Sequence, residues 1–198
     1  MSEVERLLES EFGLWSPKSA LPFRIVAFGM DLLLAFVLAY FVIFSLVFPI
    51  SHPEFLQEMR EFSVAQASSP ENLPFQELLR SHLEFQMEHE TAIADAQFLF
   101  MVVVWLYFAL SELLMQGSTL SKKTFKLKVV DAKTLKNASP QAILMRNFLK
   151  VISFTLLVPL LMISLFISFF NRERRAGHDW AAGTRVIRDP GTVPEEVS

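Results

Sequence analysis

The chain has 198 residues, 52% of them hydrophobic, with 20 Phe, no Cys and a formal net charge of −3. That composition argues against a disordered chain, a disulfide-stapled scaffold and a nucleic-acid binder, which would be polar, cysteine-rich and basic respectively. Without cysteine there is also no thiolate to ligate zinc or an iron–sulfur cluster.

In chain order, Val4, Leu7, Leu8, Phe12 and Trp15 form an apolar helical stripe opposite Glu5 and Glu9. This predicts a short amphipathic segment over 1–20 lying on a membrane surface. From Phe23 to Phe48 the charged groups are Arg24 and Asp31 alone. A run of about 20 apolar residues spans a bilayer, so this is a transmembrane helix. Its acidic leader and the lack of a small-residue cleavage motif read as a retained anchor, not a signal peptide. Glu54–Val64 and Leu73–Glu90 then predict two amphipathic helices around the turn at Ala67-Ser68-Ser69-Pro70, the second running on without a break. It leads into the next span, Ala96–Met115, where Glu112 is the sole charged group.

After that span, Thr124–Asp131 alternates apolar and polar residues as a strand does, and so does Thr184–Asp189. Two such strands are too short to stand alone, so they are expected to pair. Between them Val151–Phe170 is uninterrupted by charge but contains Pro159. It reads either as a re-entrant hairpin or as a third transmembrane helix. The predicted fold is an all-α membrane protein: two transmembrane helices, a Pro-broken third apolar segment and a small two-stranded β element. Its membrane domain covers 21–189, with an acidic extracytoplasmic insertion at 49–95 and a tail at 190–198.

Charge distribution orients the chain. Residues 49–95 carry two basic groups against nine acidic, and residues 116–150 carry eight basic against one acidic. Basic loops stay in the cytoplasm. This puts the insertion outside and the N-terminus inside, in a multi-pass membrane protein. A plain third crossing would place Arg172, Arg174, Arg175, Arg185 and Arg188 outside, so the charge rule favours the hairpin.

Asp31 falls roughly 12 Å into the first span, near mid-bilayer. An ionised carboxylate there is costly and marks function by default. Ala27, Asp31, Ala35 and Ala39 share one stripe of small residues, the pattern of a helix–helix contact. Trp105, Ala109, Glu112 and Gln116 form a comparable stripe in the second span. Glu112 lies at about the depth of Arg24, and if Asp31 only fixes helix packing the two form a boundary ion pair. The functional reading is a polar path from Arg24 and Glu112 to Asp31 for a proton or small cation. The alternative is that Asp31 fixes helix packing. His82 and His89, seven apart among glutamates, lack the i, i+4 spacing of a metal pair, so they read as a solvated acidic face and no metal site is expected. The Lys122–Lys136 cluster could bind phosphate or anionic headgroups, but positive-inside orientation explains it more simply. No nucleophile–base–orienter set or phosphate loop is present, and neither an enzyme nor a cofactor is expected.

Arg24 opens the first helix and Asp31 lies inside it. G-S-T-L-S-K-K-T-F-K-L-K-V-V-D follows the second span, Arg146 precedes the last apolar run, and R-R-A-G-H-D-W-A-A-G-T-R-V closes the region. This pattern resembles the RDD family of small bacterial membrane proteins, named for one Arg and two Asp. By motif position these are Arg24, Asp31 and Asp179. The resemblance covers roughly residues 20–189 outside the insertion. It implies that Arg24, Asp31 and Asp179 act together, with Asp179 pairing with Arg24 if the hairpin brings both to the cytoplasmic side. With Glu112, at about the depth of Arg24, they form the candidate polar network, and Lys122 and Arg146 are secondary candidates. The resemblance also implies transport or cation/proton exchange, the roles associated with the family, in the bacterial inner membrane. The lipid bilayer is then one partner, and because two or three helices rarely enclose a path alone, a homo-oligomeric copy is the other. The competing reading is a non-transporting scaffold or accessory subunit that docks another protein. One departure stands out: the family's Gly-x-Thr-x-Gly-Lys has Ser121 at its second glycine, where a residue with a side chain would resist a left-handed turn.

Overall fold

The computed structural model describes residues 17–68, 74–155 and 175–188. The amphipathic stripe at Val4–Trp15, and all of the third apolar run beyond Thr155, lie outside these residues. Two long apolar helices dominate. Helix α1, Pro17–Phe41, starts six residues before its apolar run, because the preceding residues can continue a helix from a proline in its first turn. A π-helical segment, Val42–Val47, and a short helix α2, Phe48–Ser51, extend it. The π segment inserts an extra residue into the winding, so Ile43 and Phe48, five apart, are both buried.

Helices α3, Pro53–Ala67, and α4, Phe75–Glu88, follow, then α5, Glu90–Leu114. The expected continuity into the second span fails at His89, which leaves the helical region at φ −111°. Its ring packs on Phe55 and Phe85 and its Nε2 lies 2.9 Å from Glu58, contacts that hold it out of the helix. By length and apolarity, Leu21–Ser51 and Glu90–Leu114 can each cross a membrane. Their outward faces carry exposed Leu33, Val37, Tyr40, Phe98 and Leu110, side chains that lipid would solvate.

The basic segment begins with helix α6, Leu120–Thr124, not with a strand. Thr119 caps it by accepting the Lys122 amide at 3.3 Å, the role short hydroxyl side chains favour. Lys126 then turns the chain at φ +55°, and strand β1 starts only at Leu127, ending at Asp131. Helix α7, Pro140–Thr155, was not foreseen; Ser139 caps it through the Ala142 amide at 3.2 Å. A short helix α8, Gly177–Ala181, leads into strand β2, Thr184–Arg188. The strands pair antiparallel, Leu127 with Arg188 through Asp131 with Thr184, as their shared alternation predicts. Leu127, Val129 and Val186 pack from this sheet onto Ala27, Ala138 and Ile143.

The described residues fall into two compact units. The first comprises those of Met1–Ala35 and Val104–Ser198, and the second is Phe36–Val103. In the second unit α3 and α4 form an antiparallel hairpin. Phe62 stacks on Phe85 with centroids 4.5 Å apart, and Gln66 bonds His82 at 3.1 Å. The candidate polar residues all belong to the first unit.

Candidate polar network

Asp31 lies on the small-residue stripe as expected: Ala27, Asp31, Ala35 and Ala39 are all fully buried. Its carboxylate accepts three hydrogen bonds, from the Tyr107 hydroxyl at 2.9 Å, the Thr119 hydroxyl and the Ser121 amide at 3.3 Å. All three donors are neutral. Among the described residues no cation lies within ion-pair distance of it.

Ser121 shows why the missing family glycine is tolerated. The position is helical, within α6, and needs no left-handed backbone. The glycine that is required is Gly117, at φ +93°. A Cβ there would stand 2.4 Å from the Val129 carbonyl oxygen. Instead the Gly117 carbonyl accepts the Val129 amide at 2.7 Å, tying the loop to β1.

The Arg24–Glu112 boundary pair does not form, because each has a different partner; that of Arg24 is Asp179, the pairing expected for a chain that returns to its starting side. Arg24 donates to Asp179 at 2.6 Å. Glu112 receives Lys122 Nζ, Arg146 Nη1 at 2.6 Å and Asn147 Nδ2 at 2.8 Å. Arg146 is the bridge: its Nε also donates to Asp179 at 2.6 Å. The charges alternate in one ladder, Arg24, Asp179, Arg146, Glu112, Lys122, and α6 links Lys122 to the Thr119 hydroxyl that holds Asp31. Glu112 and Asp179 are fully buried, and Arg146 nearly so. The stripe of the second span ends at Glu112, since Gln116 lies beyond the helix and is exposed.

Asp179 is placed at the third position of α8, where it reaches back to the Ala176 amide at 3.3 Å. Acidic residues suit that position because the first-turn amides lack partners. Burial pushes its carboxyl up, but Arg146 and Arg24 outweigh burial and hold it well below the usual carboxylate range. Next to it His178 is pushed down to about 3, first by burial and then by Arg146 despite Asp179, so its ring is neutral.

Four participants were not singled out as site residues: Tyr107, Thr119, Asn147 and Lys150. Tyr107 had a signal, since the chain uses Phe 20 times and Tyr twice, and a hydroxyl inside an apolar span asks for a partner. Lys150 is buried with its Nζ 3.5 Å from the Phe108 ring centroid, a cation–π arrangement. His82 and His89 do not converge: they contact Gln66 and Glu58 respectively. Among the described residues no group of three metal-ligating side chains occurs.

A family model, described as the RDD family, matches residues 20–183. The chain belongs to the RDD family. Its two apolar helices agree with a membrane protein of that family. In this RDD protein the Arg and the second Asp of the signature, Arg24 and Asp179, are direct partners, and the other Asp, Asp31, is held by neutral donors. Neither a curated protein nor a solved structure shows significant similarity to the chain.

Proposed function

We propose that this RDD protein is a bacterial inner-membrane component of transport or cation/proton exchange, with Asp31 as the site that takes the proton or small cation. The observation that carries this reading is the contrast between the three buried carboxylates. Glu112 and Asp179 are neutralised by Lys122, Arg146 and Arg24, whereas Asp31 receives only hydroxyl and amide donors. A buried carboxylate with no cation in contact costs free energy, which Lys122 and Lys150 offset only from a distance. A proton or a small hard cation at Asp31 offsets that cost, and the Thr119 and Tyr107 oxygens are the ligand type such a cation prefers.

The charge asymmetry supports a cytoplasmic N-terminus and an outward-facing 49–95 insertion. The Arg24–Asp179 contact supports a chain that returns to its starting side after the third apolar segment, as a re-entrant hairpin does. Two or three helices enclose little on their own, so the path is completed in a homo-oligomer.

The test is Asp31→Asn, measured as sodium- or lithium-dependent proton flux in inverted vesicles. Flux should fall at least about tenfold, the scale of losing one transition-state interaction of 1.4 kcal/mol. Undiminished flux in the variant would refute Asp31 as the site, and no flux in the wild type would refute the activity.

A further inference from the structure

We infer that the cleft between the end of α5 and the start of β1 is a binding site for the phosphate of an anionic lipid headgroup. The cleft has a volume of about 380 Å³ and is lined by Lys123, Lys126 and Lys128 together with Leu114, Met115 and Leu127. No acidic side chain lines it. Among the described residues none of these three lysines forms an ion pair. Lys122, the fourth lysine of the run, is buried against Glu112 and takes no part.

The cleft is built, not a diffuse basic surface. The left-handed turn at Lys126 brings α6 and β1 around the same space. Its floor is clamped by the Gly117–Val129 hydrogen bond at 2.7 Å and by the Ser118 hydroxyl on the Leu127 carbonyl at 2.8 Å. Its position favours a lipid over a free anion. It begins where the apolar helix α5 ends, and Leu114 and Leu120 beside it are 80% and 52% exposed. A diacyl lipid would cover those leucines with its chains while its phosphate meets the three ammonium groups. The inference is independent of transport, so Asp31→Asn should leave it intact.

The experiment measures phosphatidylglycerol and phosphatidylcholine bound to the purified full-length chain by native mass spectrometry. Three proteins are compared: wild type, Lys123→Gln/Lys126→Gln/Lys128→Gln, and Lys133→Gln/Lys136→Gln. The exposed lysines of the last variant lie outside the cleft. The wild type should retain one phosphatidylglycerol in preference to phosphatidylcholine. At about 1 kcal/mol per lysine, the triple variant should bind it roughly a hundredfold more weakly. The double variant should stay within about twofold of the wild type, whereas diffuse attraction would weaken it roughly 25-fold. Equal loss per lysine in both variants overturns the site, as does equal retention of phosphatidylcholine. Inorganic phosphate that binds alone and displaces the lipid at millimolar concentration overturns the lipid assignment. Because a misfolded triple variant would also lose lipid, Lys126→Gln alone is measured too. It should weaken binding about fivefold while keeping the wild-type elution profile, and unchanged binding in it counts against the site.

Discussion

Arg146 gives its Nε to Asp179 and its Nη1 to Glu112, both at 2.6 Å. A planar guanidinium can serve two carboxylates from one position, and a lysine ammonium cannot reproduce that fork. Removing the charge of Asp179 would leave Arg24 and Arg146 facing each other without their shared anion. Asp179→Asn should therefore destabilise the protein by about 3 kcal/mol, the lower part of the range for breaking a buried pair. The pH dependence has two windows. His178 is neutral when folded and takes a proton near 6.5 when unfolded, so stability declines as pH falls below about 6.5. Asp179 is held below the unfolded carboxylate range, so its contribution is complete above that range and is lost as pH falls below about 5. Thermal unfolding of the detergent-solubilised wild type should show both declines, and Asp179→Asn should flatten the more acidic one. An unchanged acidic slope would mean that the ion pairs do not hold the carboxyl down.

The elements divide sharply by how their signals lie along the chain. The two spans were readable because an apolar run long enough to cross a bilayer is a one-dimensional feature, and the paired strands because alternation is. The start of β1 was not. Thr124-Phe125-Lys126 alternates like a strand, yet Thr119 caps a helix there and the chain must turn left-handed at Lys126. Capping and turn chemistry overrode the pattern. Gly117 is the hinge of that arrangement. Gly117→Ala should cost about 2–3 kcal/mol, since its Cβ would meet the Val129 carbonyl oxygen at 2.4 Å in a left-handed conformation. Gly29, in α1 with nothing within 4 Å of an added Cβ, provides the control. Gly29→Ala should be neutral or slightly stabilising because alanine favours the helix. Unfolding midpoints of the two variants check both, and equal midpoints would contradict the close approach at Gly117.

For the molecule as a whole, the network was only partly visible in the sequence. Arg24, Asp31, Glu112, Asp179, Lys122 and Arg146 could be nominated because ionisable residues near apolar runs are conspicuous. Their pairing was legible only in part: depth matched Arg24 to Glu112, which the fold does not join, whereas a chain that returns to its starting side brings Arg24 to Asp179, 155 positions away, as the fold does. That long-range contact bears on topology. The chain has no cysteine, so single cysteines at Ser68, Ser139 and Thr192 can be labelled without background. Thr192→Cys should react from the same side as Ser139→Cys, and Ser68→Cys from the opposite side. Labelling of Thr192→Cys together with Ser68→Cys would contradict the return of the chain.

The same separation sets an order of assembly. At roughly 5–20 residues per second of synthesis, Asp179 emerges roughly 8–30 s after Arg24. Until then the first membrane helix has to be held by its apolar length and by the earlier-made partners of Asp31, Tyr107 and Thr119, while its arginine waits. The signature pair then acts as a clasp that closes only after both spans have been made, fastening the first helix to a segment synthesised 155 positions later.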